Sequence, residues 1–570
     1  MAEEAGRRID REEKQRGRGS GRVAAVSSGG SGGGSRAGVG SGDGEIEIEM
    51  EVATADAGAS SSGQQHDADD GLQRSTWKRF LTHTGPGFLI SLAYLDPSNV
   101  QNDLQAGSSH KYELLWVLFF GFIFVLIIQS LAAKLGIITG RHLAELCMDE
   151  YPKNVKYCLW FLAEVGVIAA TIPGVLGTAL AYKMLLHIPF RIGVLICGAS
   201  TLLLLGIQIY GARKIELIGV IFMLVMAACF SVELSKANPP ISEVIEGLFV
   251  PRLSGRYATS DAVALFCALV VPHNLFLHSS LVLSRNVSPS SKGVKDASTF
   301  FLIENGIALL LVLLVNIAIV SIPGTVCVDS RSVDDVHACN GLSLNSTYVL
   351  LKNLFGKSSS TLYGLALLTS GQSCTMATSY SGQYILQGFS GMRKCIIYIV
   401  APFFTMVPSL IICAICGAHG VRRLINIAAF ILAFVLPFAL VPLLKFSSCC
   451  VIIGPYKKSR CIVRISWILS TVIFGINIYF FCTTFVDWLV HNELPRVANA
   501  IISTLLFPFM AAYIASVIYL VSRKVSFANP IPSVSTSCEP TEDREVQKED
   551  DMVHSFSVHR DFQNINKEPA

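Results

Sequence analysis

Charged side chains are scarce in this chain. Asp, Glu, Lys and Arg together make up 15% of its 570 residues, whereas hydrophobic residues make up 51% and the mean hydropathy is +0.51. Soluble domains carry about a quarter charged residues, so this composition excludes a soluble globular protein and indicates a chain that crosses a membrane many times. The formal net charge is only +3, which gives no basis for nucleic-acid binding.

Motifs typical of metal-binding sites and of enzymes are also missing from the sequence. The 16 cysteines are scattered mostly through apolar segments, and they form no C-x-x-C pair or Cys/His cluster with zinc-binding spacing. No nucleophile with a matching base and no phosphate-binding loop can be recognised. These absences argue against an enzyme and against a resident cofactor.

The chain consists of long apolar segments between two polar ends. Residues 1–72 are polar and of low complexity, residues 526–570 are polar, and we expect both to be disordered tails. Between them lie twelve apolar segments of about 20 residues or more, each long enough to cross a bilayer as a helix. They are residues 86–108, 113–138, 157–185, 190–209, 215–235, 260–283, 300–322, 361–388, 395–417, 423–445, 463–486 and 498–521.

Basic residues in the connections predict the orientation of the chain. With twelve spans, the connections that hold Arg213 and Arg393 fall on the same side as both termini. Most of the other basic connections fall there too. Cytoplasmic loops carry an excess of Lys and Arg, so we expect both termini to be cytoplasmic.

The long loop at 323–360 then faces the opposite side of the membrane. It contains Cys327 and Cys339, which can form a disulfide in an oxidising compartment. It also contains Asn345, the first residue of an N-glycosylation sequon, which is either modified or a chance match.

Two of the apolar segments are interrupted at their centres. The first reads Asp96-Pro97-Ser98-Asn99 and the second reads Val271-Pro272-His273-Asn274. Unsatisfied backbone groups in hydrocarbon cost several kcal/mol, so such breaks persist where they line a polar cavity. Paired proline-interrupted segments are the best sequence indication of a transporter's midplane site. Oxygens of Asp96 and Asn99 then favour a cation as the bound species. A capped helix kink is the alternative, although a kink does not need the aspartate.

These interruptions resemble those of the NRAMP family of metal-ion transporters, which carry D-P-G-N in the first helix and M-P-H in the sixth. The resemblance extends over about residues 74–525. It implies a LeuT-like inverted repeat of five plus five helices with broken helices 1 and 6, followed by two more helices. The implied repeats cover about 84–236 and 258–446, and the extra helices about 463–522. Other matching blocks begin at Asp103, Tyr112, Gln129, His142, Ser370 and Leu436.

The resemblance also implies which atoms bind the ion. Asp96 and Asn99 would bind it through side-chain oxygens, and Tyr94 and Ala268 through their main-chain carbonyls.

Two further residues would line the permeation path by the same resemblance. They are His273 and Gln372. A structural role for His273, capping the broken backbone, is an equally open interpretation.

The departures from the family pattern carry more information than the matches. Val271 stands where the family has methionine. A thioether is a soft ligand suited to manganese, iron or cadmium, whereas valine offers no lone pair. The remaining oxygen ligands suit hard cations such as aluminium or magnesium.

The family's proton route is altered as well. Thr171 and Gly174 stand where family members carry acids, and Pro402 lies near the position of an intramembrane arginine. Thr and Gly cannot take up and release a proton near neutral pH. Glu164 and Glu304 remain as membrane carboxylates, so some proton movement stays open.

Together these features resemble the NRAMP-related aluminium transporters of grasses. The sequence therefore predicts a carrier of a hard cation, aluminium first and magnesium second, with little or no proton coupling. A proton-coupled manganese or iron importer is the alternative in the same class, and an NRAMP-like membrane sensor is the alternative in another. We expect a monomer in the lipid bilayer of the plant plasma membrane, although the vacuolar membrane stays open.

Overall fold

The computed structural model gives an almost entirely helical chain. The residues it describes are 80–255, 258–285, 287, 290–329, 339, 342–453, 460–491 and 496–525. The two predicted disordered tails lie outside the described residues. Within the described ranges there is no β-strand, which confirms the all-α class.

The first half of the chain holds the first interrupted helix and six further helices, of which α4 and α8 are short. A 3₁₀ turn at Leu92–Leu95 separates α1 from α2. The helices are α1 Pro86–Ser91, α2 Pro97–His110, α3 Leu115–Thr139, α4 Leu143–Glu150, α5 Lys153–Leu186, α6 Phe190–Gly206, α7 Ala212–Ala237 and α8 Ile241–Phe249.

The second half repeats this plan and then adds two helices. Its own interruption separates α9 from α10. The helices are α9 Ala258–Leu269, α10 Pro272–Leu281, α11 Ser291–Asp329, α12 Leu344–Phe355, α13 Lys357–Ser390, α14 Lys394–Cys416, α15 Val421–Ser448, α16 Cys450–Ile453, α17 Arg460–His491 and α18 Arg496–Ser522. The numbered boundaries of the two repeats stay a prediction.

Nine helices within the described ranges are long and apolar enough to cross a membrane. They are α3, α5, α7, α9 together with α10, α11, α14, α15, α17 and α18. Three of the twelve predicted segments fall short of that standard for visible reasons. The first is divided into α1 and α2, α6 has only 17 residues, and α13 is polar along much of its length.

Helix α13 lies inside the protein, where its polar side chains are shielded from lipid. Its residues Ser370, Ser373, Thr375 and Thr378 are all buried. It packs along α5 at close range, and a Cβ atom added at Gly371 would lie 2.6 Å from the backbone nitrogen of Thr178. Small residues permit such close approach of membrane helices. Hydropathy alone therefore does not identify this central helix as a membrane span.

The outer helices expose apolar side chains instead. Leu203 on α6, Ile415 on α14 and Phe507 on α18 are among the most exposed residues, at about three quarters of their surface. Water-facing helices do not present such continuous apolar surfaces, whereas lipid-facing helices do. This distribution agrees with a polytopic membrane protein.

The start of α12 and the residue two positions before it contact α2. Cys327 forms a disulfide with Cys339. The carboxamide of Gln101 donates to the carbonyl of Leu342 at 2.6 Å and accepts from the amide of Leu344 at 2.8 Å. Asn345 is exposed in the first turn of α12. The sequon therefore lies on the surface, beside the segment that the disulfide and Gln101 hold.

Candidate functional site

The first interruption places a carboxylate at the start of a helix. Asp96 has extended backbone angles, φ −68° and ψ 160°, and it is the N-cap of α2. Its Oδ1 accepts a hydrogen bond from the amide of Asn99 at 2.8 Å, and its Oδ2 accepts one from the hydroxyl of Ser98 at 2.8 Å. An N-cap carboxylate satisfies an otherwise unpaired helical amide and lies at the positive end of the helix dipole. The carboxylate is thereby held in one position.

The second interruption has the same construction. Val271 is extended, with φ −95° and ψ 116°, and Pro272 begins α10. Proline has no N–H, so the carbonyl four residues before it loses its usual helical donor. That carbonyl belongs to Ala93 before Pro97 and to Ala268 before Pro272. Each interruption therefore leaves one main-chain carbonyl without its usual helical donor.

A single cavity of about 280 Å³ joins the two interruptions. From the interruptions themselves it is lined by Ala93, Asp96, Ala268, Val271 and His273, among others. Carboxylate and carbonyl oxygens are the ligands that hard cations prefer. The cavity can therefore hold a cation between the two prolines.

The cavity extends from the interruptions toward one end of the bundle. Its more distant walls include Gln105 on α2, Asp261 in the first turn of α9 and Asn426 on α15. In the predicted topology this end is the non-cytoplasmic one. The polar walls form an entrance through which a hydrated cation can approach.

The opposite side of the first interruption is closed by a buried hydrogen-bond chain. The hydroxyl of Tyr94 accepts from the carboxamide of Gln129 at 2.8 Å. The other end of that carboxamide lies 2.7 Å from Nδ1 of His278. Helices from both halves of the chain are thus joined directly below the cavity.

The residues expected to bind the ion are not all placed alike. Asp96 and Ala268 line the cavity, whereas Asn99 and Tyr94 are buried beside the interruption and are not among its lining residues. The carboxamide of Asn99 donates to the carbonyl of Ala93 at 3.2 Å. The carbonyl of Tyr94 accepts from the carboxamide of Asn316 at 3.4 Å.

Ala93 is a residue that the sequence reasoning missed. Its position four residues before Pro97 was the available signal, and this is the position that Ala268 occupies before Pro272. The carbonyls of both alanines belong to residues that line the cavity.

The two residues assigned to the permeation path lie in different surroundings. His273 lines the cavity and is 3% exposed. Its carbonyl accepts from the hydroxyl of Ser381 at 2.9 Å. Gln372 is not a lining residue, and its carboxamide donates to the hydroxyl of Ser200 on α6 at 2.8 Å. It therefore faces a neighbouring helix in this conformation.

The altered proton-route positions are tightly packed. The hydroxyl of Thr171 donates toward the carbonyl of Val167 at 2.8 Å and the hydroxyl of Thr378 at 2.9 Å. A Cβ at Gly174 would lie 2.9 Å from Cγ2 of Thr375 and 3.0 Å from the sulfur of Cys374. Pro402 is buried within α14. Thr375 and Cys374 therefore fill the space that an acidic side chain at position 174 would need.

The two membrane carboxylates singled out from the sequence, Glu164 and Glu304, lie outside the cavity lining. Glu164 accepts from the indole of Trp160 at 3.3 Å. Glu304 is buried and accepts from the amides of Gly85 and Gly87, at 2.6 and 2.9 Å. Glu304 thus supports the start of α1.

The acidic, histidine and cysteine side chains of the cavity do not converge in a group of three. Among the described residues, no group of three or more His, Cys, Asp or Glu side chains could hold a metal ion. The donors at the interruptions are instead one carboxylate together with carbonyl and hydroxyl oxygens.

Similar proteins are known among plants and bacteria. The chain matches the family described as natural resistance-associated macrophage protein-like over residues 87–483. It is 70% identical over 477 residues to the metal transporter Nramp4 of Oryza sativa subsp. japonica, covering 84% of this chain and 87% of that protein. It is 48% identical over 459 residues to the metal transporter NRAT1 of the same plant, covering 80% and 84%. A crystal structure of a manganese transporter of Eremococcus coleocola matches with a TM-score of 0.70 and 26% identity, covering 78% and 95%.

Proposed function

This chain belongs to the Nramp family of metal transporters, and we propose that it carries a hard cation into the cytosol by alternating access. The family resemblance predicted from the motifs is thereby confirmed, and the chain is a polytopic membrane protein with a LeuT-like fold. Aluminium is the first candidate substrate and magnesium the second. The proposed setting is the plasma membrane, with both termini in the cytoplasm and the protein acting as a monomer.

The observation that carries the proposal is the meeting of Asp96 and Ala268 in one cavity. A carboxylate fixed at a helix start stands in the same space as a residue whose carbonyl has lost its helical donor. Both groups supply oxygen, which hard cations prefer. Asn99, buried at the same helix start, would bind the ion after a small rotation of its carboxamide.

The proposed selectivity depends on Val271. Val271 lines the same cavity as Asp96 and Ala268, and its side chain offers only an apolar surface. A sulfur ligand at this position would favour softer divalent ions. With valine, a water molecule takes the missing coordination position, which suits a small, strongly hydrated ion.

The proposed lack of strong proton coupling depends on Thr171, Gly174 and Pro402. None of these side chains titrates near neutral pH, and the space beside Gly174 is filled by Cys374 and Thr375. The membrane potential can drive uptake instead, at about 2.3 kcal/mol per charge per 100 mV. A trivalent ion then gains roughly 7 kcal/mol per 100 mV.

Dehydration opposes this driving force. Removing a small trivalent ion from water costs much more than the interaction with one carboxylate returns. The ion is therefore carried with several of its water molecules, for which a cavity of about 280 Å³ leaves room.

A second candidate substrate comes from the solved relatives. The Eremococcus coleocola protein is a manganese transporter, so a proton-coupled manganese or iron importer is the alternative within the family. Proton-coupled manganese flux would require a route that avoids Thr171 and Gly174.

Uptake into proteoliposomes tests the proposal. Aluminium, magnesium and manganese are offered separately to the wild-type protein and to Asp96→Asn. Asparagine is also a good N-cap, so this variant keeps the helix start while removing the charge. We expect uptake of the preferred ion to be abolished, and uptake that equals the wild-type rate would place the site elsewhere.

A further inference from the structure

One face of α13 connects the two interruptions. The hydroxyl of Ser370 donates to the carbonyl of Leu95 at 2.6 Å, directly before Asp96. The hydroxyl of Ser381 donates to the carbonyl of His273 at 2.9 Å, directly after Pro272. Residues three or four apart on a helix share a face. Cys374 follows Ser370 by one turn, so its side chain lies between these two anchoring contacts.

Cys374 also forms part of the cavity wall. Its side chain is buried, at 3% exposure, and it is a lining residue of the same cavity as Asp96. Its thiol donates to the carbonyl of Ala170 on α5 at 3.4 Å. That weak contact uses the proton and leaves the sulfur lone pairs available. The wall of this cavity therefore contains a sulfur atom at position 374, although position 271 offers none.

A second observation in the cavity independently points to a metal ligand. His273 is 3% exposed and lines the cavity, and in the described part of the chain neither of its ring nitrogens has a hydrogen-bond partner. Buried polar atoms are nearly always hydrogen-bonded, so an unpaired imidazole inside a cavity calls for an explanation. Imidazole nitrogen is a common ligand of borderline divalent metals.

We propose that Cys374 and His273 form a soft subsite beside the oxygen donors of Asp96 and Ala268. The subsite takes thiophilic divalent cations such as Cd²⁺, which occupy the cavity and inhibit transport of the hard ion. The inference rests on the proposed function, because inhibition presupposes that the hard ion passes through this cavity.

The binding step is a proton-for-metal exchange. The S–H bond of Cys374 breaks, the thiolate binds Cd²⁺ through sulfur, and the proton passes to water in the cavity. The neutral imidazole of His273 donates a nitrogen lone pair without losing a proton. Water completes the coordination, in keeping with the lack of three convergent acidic, histidine or cysteine side chains among the described residues.

Cys267 provides a matched control. It lines the same cavity, but its thiol donates to the side-chain oxygen of Asn477 on α17 at 3.1 Å. It belongs to α9 rather than to the α13 face that joins the interruptions. Replacing either cysteine by serine exchanges its thiol for a hydroxyl group of similar size.

The experiment measures Cd²⁺ inhibition of hard-ion uptake into proteoliposomes, with each variant compared with its own uninhibited rate. Loss of a group that merely supports a ligand lowers metal affinity by roughly 10–100-fold. We therefore expect Cys374→Ser to raise the half-inhibitory Cd²⁺ concentration by at least about tenfold. Cys267→Ser should leave that concentration unchanged. Equal inhibition of the wild type and Cys374→Ser would overturn the proposal.

A direct measurement separates this inference from the proposed function. Cd²⁺ added to the purified protein produces an ultraviolet thiolate-to-cadmium absorption. We expect this absorption to be weaker in Cys374→Ser than in the wild type, and to be unchanged in Cys267→Ser. An identical absorption in both variants contradicts the subsite, including where a variant transports poorly. If Asp96→Asn transports normally while the Cys374 absorption is present, the transport site is wrong and the soft site stands.

Discussion

The carboxylate of Glu304 accepts a hydrogen bond from the amide of Gly85 at 2.6 Å, across 219 residues of sequence. The same oxygen accepts from the amide of Gly87 at 2.9 Å. Helix α11 thereby holds the first turn of α1, on the far side of Asp96 from the cavity entrance. Arg285 donates to the carbonyl of Thr84 at 3.1 Å and completes the attachment.

This contact predicts a structural rather than a proton-carrying role for Glu304. Glu304→Gln keeps an oxygen that can accept from both amides, so we expect uptake and its dependence on external pH to be unchanged. Glu304→Ala leaves two buried amides unpaired and should lower the free energy of unfolding by about 2–3 kcal/mol. Thermal unfolding and uptake of the two variants check this, with the exposed Glu243→Ala as the control. Loss of uptake in Glu304→Gln would restore the proton-carrier interpretation.

Position 271 should set the preference between hard and soft ions. Val271→Met restores a thioether to the cavity wall, and we expect manganese uptake relative to hard-ion uptake to rise by about tenfold, equivalent to about 1.4 kcal/mol. Val271→Leu adds comparable volume without sulfur and should leave the ratio near the wild-type value. Competition uptake measures the ratio, and an equal rise in both variants would show that size rather than sulfur matters.

Gly174 cannot simply regain an acid. A Cβ at this position already lies 2.9 Å from Thr375 and 3.0 Å from the sulfur of Cys374. Overpacking of this kind costs about 1–3 kcal/mol, so we expect Gly174→Glu to lower thermal stability without creating proton-coupled uptake. Adding Cys374→Ala should recover part of the stability. A single Gly174→Glu variant as stable as the wild type would show that this helix contact is looser than the distances indicate.

Much of the site could be predicted from the two prolines. Their missing N–H groups favour a break before Pro97 and Pro272, and Asp96 is a favourable N-cap for the helix that begins at Pro97. The paired interruptions also indicated a cavity between these points, whereas Ala268 was expected only from the family resemblance. Ala93 could also have been selected from the sequence, because it lies four residues before Pro97.

The remaining details depend on contacts between distant segments. The hydrogen bond between Asn316 and the carbonyl of Tyr94 joins residues 222 positions apart, so no local pattern could predict it. Gln372 could not be oriented either, because α13 carries polar side chains on several faces. The contribution of Cys374 to the cavity has the same origin, since it depends on how α13 packs against both interruptions.

The membrane potential and the internal pH, followed together during uptake into proteoliposomes, test the central claim most directly. We predict that hard-ion uptake by the wild-type protein increases as the interior is made more negative, while the internal pH stays constant, because Thr171, Gly174 and Pro402 offer no titrating group. Manganese uptake that requires an acidic exterior and acidifies the interior would contradict the account.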